Sequence, residues 1–314
     1  MTKLYTFGKY LRKKFHTSVY KVPISIPGFT CPNIDGTAAR GGCVFCENES
    51  FSPNLKEKEK LKLNLYSKEN PLLDRQLDSL EWQFKNTLPF LKKRFGAKKF
   101  IVYFQSFTNT YAPFETLKAL YEKALSFDDV VGISIGTRTD SITDETLEYL
   151  AKLSKKTEVW IEYGIQTSND DTYVRINRGH NFQNVVDTIT KTKKLDINVC
   201  GHLIYGLPGE NRKDWEKTFN DTMKLEIDSI KFHPMYVTKN TLLAKEYEEG
   251  KFEPITEEDY IDILTWSIKN LPDDISIQRM TAGISNLIAP KWCEDKGVQM
   301  SHIIKALKKN KIRL

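Results

Sequence analysis

From about residue 98 the chain alternates short apolar runs with amphipathic helical stretches, and few architectures accept that alternation. The runs KKFIVYFQ (98–105), VVGISIGT (130–137), EVWIEYGIQ (158–166), INVCGHLIYGL (197–207) and SIKFHPMYV (229–237) are rich in β-branched and aromatic residues, as buried strands are. Between them, at 113–126, 143–155, 181–195 and 210–226, apolar residues recur at i, i+3 and i+4, which turns one oily face toward a sheet. Asn181 is placed to cap the third of these helices. An upstream stripe of Leu73, Leu77, Leu80, Phe84, Leu88 and Leu91 is the clearest helix, and VPISIP (22–27) supplies a first strand. The pattern predicts an α/β fold, a partial TIM-type (β/α)6 barrel with parallel strands, over residues 22–238. Residues 1–21 read as a basic N-terminal extension. Past 238 the pattern loosens into a helix at 256–270 opened by Thr256, a short strand near 275–280 and a helix from about 297, which predicts a small C-terminal α/β appendage with a basic tail (239–314). Residues 48–70 are polar and alternate in charge, so they read as a loop.

At 314 residues and 40% apolar content the chain can fill one large core. No run approaches the length of apolar sequence a membrane span needs, and MTKLYTFGKYLRKKF lacks a signal-peptide core, so the expectation is a cytoplasmic protein with no membrane partner. The net charge of +6 is unevenly placed: residues 1–34 and 305–314 carry Lys and Arg without one acid, and the body between them is mildly acidic. Such ends suit phosphate backbones or serve as solubilising termini.

Three of the five cysteines fall in CPNIDGTAARGGCVFCENESF, spaced C-x11-C-x2-C as Cys31, Cys43 and Cys46. Thiolates suit zinc and iron–sulfur clusters alike, and a local trio points to metal rather than to a disulfide scaffold. A structural zinc needs four protein ligands, and His16 is the nearest candidate for a fourth; three ligands on a cubic cluster leave one iron open. Asp35-Gly36 and Gly41-Gly42 permit sharp turns and close approach of the backbone. Cys200 and Cys293 are isolated and read as buried apolar residues.

The motif resembles that of the radical S-adenosylmethionine (SAM) superfamily, whose hallmark ends in C-x-aromatic-C, here Cys43-Val44-Phe45-Cys46. The wider first gap and the GGCVFC context look like its YhcC/YtqA-like branch, which is similar to the catalytic domain of the Elongator subunit. The resemblance implies a [4Fe–4S] cluster on Cys31, Cys43 and Cys46, with SAM on the open iron. It further implies an electron donor such as flavodoxin or ferredoxin, and reductive cleavage of SAM to a 5′-deoxyadenosyl radical. Phe45 is then expected against the adenine. The other expected cofactor contacts stand at carboxyl ends of strands, where barrel enzymes build their sites. Gln105, with Thr108, lies in QSFTNTY, which replaces the usual Gly-Gly-Glu. Thr137, Arg138 and Asp140 end the third strand, with Arg138 suited to a carboxylate and Asp140 to a ribose hydroxyl. Glu162 and Gln166 end the fourth, before Asn177-Arg178-Gly179-His180. Ile204 and Gly206 lie in HLIYGLPGE beside His202. His233, Tyr236 and Lys239 are substrate-side candidates by position.

The motif specifies how the reaction opens and not what is attacked. Enzymes similar to the Elongator subunit act on the wobble uridine of tRNA, so the resemblance and the basic ends (Lys9, Arg12, Lys13, Lys14; Lys308, Lys309, Lys311, Arg313) imply modification of the tRNA wobble-uridine 5-side chain. A radical enzyme for a small metabolite or peptide, and a non-catalytic zinc-binding RNA-associated protein, are the alternatives.

Overall fold

The computed structural model describes residues 4–47, 60–281, 283–284 and 286–313, so positions 48–59 of the expected loop lie outside the described residues. Seven of the described strands form one sheet, in the order β1 (Val19–Ile24), β2 (Lys99–Phe104), β3 (Val130–Thr137), β4 (Glu158–Gln166), β5 (Asn198–Tyr205), β6 (Ser229–Pro234) and β8 (Ser276–Arg279), with every neighbouring pair parallel. Each crossover carries a helix: α3 (Leu73–Phe95), α4 (Phe114–Leu125), α5 (Asp144–Ser154), α7 (Phe182–Lys194), α8 (Arg212–Met223) and α10 (Glu257–Lys269). Thr143, Asn181 and Thr256 cap three of them by accepting a backbone N–H in the first turn, as short polar side chains do where those donors lack helical partners.

The strands alternate with period two, and the two faces differ in chemistry. Val22 and Ile24, Phe100, Val102 and Phe104, Ile133 and Ile135, and Val159, Ile161 and Tyr163 pack against Leu80, Phe84, Leu120, Leu150, Val185 and Ile189 of the helices in one large core. The other face curls inward, as its cross-sheet contacts show: Lys21 Nζ of β1 reaches Gln278 Oε1 of β8 at 2.5 Å and Ser134 Oγ of β3 at 3.2 Å. At the amino-terminal end of the strands this interior is plugged by α1 (Phe7–Phe15), whose Phe7 and Leu11 pack on Val19, Ile101, Trp160 and Cys200. Full burial of such a side chain stabilises by about 1.5–3 kcal/mol.

The sequence predicted six strands and assigned 275–280 to the appendage. That segment is the seventh barrel strand, paired parallel to β6 (Ser229↔Ser276, Ile230↔Ile277), and α10 is its crossover. With only four residues, three of them paired to β6, it carries too little apolar alternation to announce a buried strand. Residues 1–21, read as an extension, hold the α1 plug and the start of β1. Outside the barrel lie α9 (Leu242–Glu248), the antiparallel pair β7 (Val237–Thr238) and β9 (Leu287–Ala289), and α11 (Lys296–Lys309). Two short helices, α2 (Pro32–Asp35) and α6 (Asp170–Arg175), flank the cysteine loop and the loop following β4. Among the described residues, no helix is long and apolar enough to cross a membrane.

Candidate functional site

The cysteine loop leaves the carboxyl end of β1 and is tied down by the loop after α6. Asn177 Nδ2 donates to the carbonyls of Arg40 and Gly42, both at 2.8 Å, and Asn33 Nδ2 donates to those of Asn177 and Arg178 at 2.5 and 3.0 Å. The Val44 N–H donates to the Ile176 carbonyl at 3.2 Å, and the Val44 carbonyl accepts from the Leu243 N–H at 2.9 Å. Cys31 stands at the N-cap position of α2, where its carbonyl accepts from the Ile34 N–H at 2.8 Å, and the Cys46 N–H bonds the Cys43 carbonyl at 2.9 Å.

Two buried guanidiniums face the thiols. Arg138 Nη1 is 3.9 Å from Cys31 Sγ, Arg178 Nη1 is 3.8 Å from Cys43 Sγ, and Asn33 Nδ2 is 3.4 Å from Cys43 Sγ. Arg138 also holds Asp140 in a two-pronged pair, at 2.8 and 2.5 Å. Burial alone pulls the pKa of Arg138 down, but the bond to Asp140 outweighs it and leaves it raised; Asp140 is lowered by the same pair against its own burial. Burial, and then the charges of Cys43 and Cys31, push the Cys46 thiol up, so Cys46 is costly to ionise without a bound cation.

Beside the cysteine loop, bounded on that side by Phe45, Arg138 and Arg178, opens a cavity of about 460 Å³ at the carboxyl ends of the strands. Phe45, Gln105, Thr137, Arg138, Glu162, Gln166 and Ile204 line it, as do His202, His233 and Tyr236. Asp140 lies behind Arg138, off the cavity wall. Gly206 lies beside a separate cavity, where an added Cβ would stand 2.6 Å from Ile255. Lys239 is off the wall, its N–H bonded to the Asn286 carbonyl at 3.0 Å, and His180 bonds the Asn181 carbonyl through Nδ1 at 3.1 Å. Thr108 is buried, with its hydroxyl unpartnered among the described residues. After β2, Ser106 and Phe107 both take left-handed backbone conformations (φ 69° and 57°) without a glycine to ease them, in the stretch where the family pattern has Gly-Gly.

Glu162 has a different setting from the one expected of a free cofactor ligand. Its carboxylate accepts from Lys21, from Lys231, from Ser134 Oγ at 2.6 Å and from His202 Nε2 at 3.0 Å. Together with Tyr103 and Gln278 these side chains form a polar floor beneath the cavity. Burial raises the Glu162 pKa, but Lys21 and Lys231 hold it well below the usual carboxylate range. Burial brings Lys231 down to about 7 and His202 to about 4, while His233 is well below its ordinary value through burial and then Arg279. Sequence reasoning passed over Lys21, Lys231 and Gln278. The available signal was a polar residue at the inward position of strand after strand.

Three thiols with no fourth protein ligand beside them among the described residues are the donor set that would leave one iron of a cluster open: His16 caps α1 at the opposite end of β1 from the cysteines, about 20 Å of strand away. On the cavity wall the buried Gln166 Oε1 and Arg178 Nε lack partners among the described residues, polar atoms set where a bound group would satisfy them.

The Radical SAM superfamily model matches residues 34–222, and the Radical_SAM C-terminal domain model matches 227–309. The uncharacterized protein YtqA of Bacillus subtilis is 35% identical over 308 residues, 96% of this chain and 89% of its own length. A tRNA uridine(34) acetyltransferase of Methanocaldococcus jannaschii is 24% identical over 157 residues, covering 49% of this chain and 28% of that protein. Among solved structures, the archaeal Methanocaldococcus infernus Elp3 superposes with a TM-score of 0.63 at 15% identity, over 94% of this chain and 64% of that one.

Proposed function

Because the chain belongs to the radical SAM superfamily, whose enzymes use a [4Fe–4S] cluster and SAM, we propose that it modifies the 5-side chain of the wobble uridine of tRNA. In this reading Cys31, Cys43 and Cys46 hold the cluster. Cluster and SAM, when bound, supply one-electron removal of a hydrogen atom from an unreactive carbon. Arg138 and Arg178 offset the negative charge of the thiolates and hydrogen-bond to sulfur. Phe45 and Ile204 offer apolar walls to the adenine, and Gln105, Thr137 and Gln166 offer hydrogen bonds to the ribose and amino-acid end. His202 and His233 are neutral at pH 7 and face the substrate side. The chemistry needs an electron donor, and a flavodoxin or ferredoxin fits as a one-electron carrier.

One observation supports an anionic substrate above the alternatives. The cavity wall also carries Arg279 and Lys296, and neither forms an ion pair with a described residue. Two uncompensated cations at the mouth of a cavity favour phosphate or carboxylate. Partial similarity to a tRNA uridine(34) acetyltransferase favours tRNA among anionic substrates. The test is nucleoside mass spectrometry of tRNA from a deletion strain. A wobble-uridine derivative should accumulate at the expense of its product, and an unchanged wobble-uridine profile ends this reading.

A further inference from the structure

The sheet is not closed: β1 is paired only with β2 and β8 only with β6, apart from a single bridge between Thr6 and Ile277 at the amino-terminal end. The seam between them opens into a second cavity, of about 840 Å³, walled by α1, β1, β8 and the first turn of α11. Lys9, Arg12, Lys21, Arg279 and Lys296 line it, and its lining includes no Asp or Glu. Lys21 is committed to Glu162, and Lys9 Nζ donates to the Leu4 carbonyl at 3.0 Å. Arg12, Arg279 and Lys296 form no ion pair with a described residue. Arg279 and Lys296 line the cysteine cavity as well, so the two spaces meet at these cations. Like charges held together without a counter-ion repel, and burial together with Arg279 lowers the Lys296 pKa accordingly.

A second observation lies beside the seam. Tyr20, on its wall, stacks on Phe95 at 5.1 Å, and Phe95 meets Phe90 edge-on at 5.9 Å. Phe95 and Phe90 are 45% and 61% exposed, at the end of a helix whose last turn carries Lys92, Lys93 and Arg94. Exposed aromatic rings next to acid-free rows of cations are what a single strand of nucleic acid requires, bases for stacking and phosphates for charge. One phosphate cannot reach cations distributed from α1 at the base of the seam to Arg279 near its top, whereas a strand with successive phosphates can.

We propose that the seam between β1 and β8 is a binding groove for single-stranded RNA, in which Arg12, Arg279 and Lys296 take phosphates, Tyr20, Phe95 and Phe90 take flanking bases, and the target base passes the Arg279–Lys296 junction into the cysteine cavity. The proposal deepens the tRNA reading and rests on it for the identity of the RNA. The test measures fluorescence anisotropy of a labelled anticodon stem-loop RNA with the anaerobically reconstituted full chain. Arg12→Glu and, independently, Phe90→Ala should each weaken binding at least about fivefold, in line with the loss of one phosphate or one stacking contact. Lys308→Glu in the tail should leave it within about twofold. Circular dichroism and bound iron, both unchanged, confirm that each variant is folded and loaded. Wild-type affinity in both seam variants overturns the groove, as does equal competition by heparin and by the unlabelled stem-loop. An unchanged tRNA profile in the deletion strain together with weakened seam variants would instead retain an RNA groove and discard the wobble uridine as target.

Discussion

Glu162 is 1% exposed and faces two lysines, so the barrel floor carries more positive than negative charge unless one lysine gives up its proton. Lys231 is the one that does: it is buried, and its pKa falls to about 7 from an ordinary 10.5. The unfolded chain keeps that proton up to its ordinary pKa while the folded chain releases it near 7. Between those values the unfolded state therefore binds more protons, and stability rises with pH, by at most about 1.4 kcal/mol per pH unit. Urea unfolding of the protein kept anaerobic should show a midpoint that climbs from about pH 7 to about pH 9. Lys231→Met should flatten that climb. Parallel curves for the two proteins would mean that Glu162 keeps Lys231 charged throughout. The positions of Ser134, Glu162, His202 and Lys231 were legible in the sequence, since each occupies an inward position of an expected strand, whereas Lys21 fell in the expected extension and Gln278 in the expected appendage. Their mutual pairing was not, because it depends on how far the sheet curls, and no single strand encodes that.

At the level of elements, β3 and β4 have the bounds that their apolar runs suggested, and Asn181 and Thr256 cap the helices assigned to them. The α1 helix escaped notice because Lys9, Arg12, Lys13 and Lys14 surround the few apolar residues that dock, so its basic face dominates the sequence. Also unforeseen was the clamp between the 177–180 loop and the cysteine loop, a contact between segments about 135 residues apart. Gly179 sits at its closest point, with φ +81° and space for no side chain: a Cβ there would stand 2.8 Å from Asn33 Oδ1 and 3.2 Å from the Ala38 Cβ. Gly179→Ala should therefore cost more than about 1 kcal/mol in backbone strain alone. It should also push Asn33 away from Cys43. After anaerobic reconstitution the variant should bind less than about half the iron of the wild type, whose full complement is about four per chain. Full iron binding by the variant would show that the clamp is not needed to hold the cysteine loop.

Across the whole molecule, the basic ends singled out in the sequence are brought together, but not at the cysteines. The Leu4 N–H donates to the Arg313 carbonyl at 2.7 Å, and α1 closes the amino-terminal end of the barrel, whereas the cysteine cavity opens at the carboxyl ends of the strands. If the proposed RNA reading holds, charge on the tail attracts the RNA from a distance without touching the strand in the seam, and it is screened within about 10 Å at ordinary salt. The lateral seam is the described route by which cations of α1 adjoin cations of the cavity. These two placements predict different salt dependences. Each phosphate held on a single strand contributes roughly 0.7 to the slope of log affinity against log salt concentration. Stem-loop RNA titrated at several potassium chloride concentrations should give a slope shallower by about that amount in Arg12→Glu than in the wild type. Lys308→Glu combined with Lys309→Glu should leave the slope unchanged while slowing association at low salt, the signature of steering without contact. Equal loss of slope in both variants would return RNA binding to a diffuse field over the basic end of the barrel and remove the distinction between seam and tail.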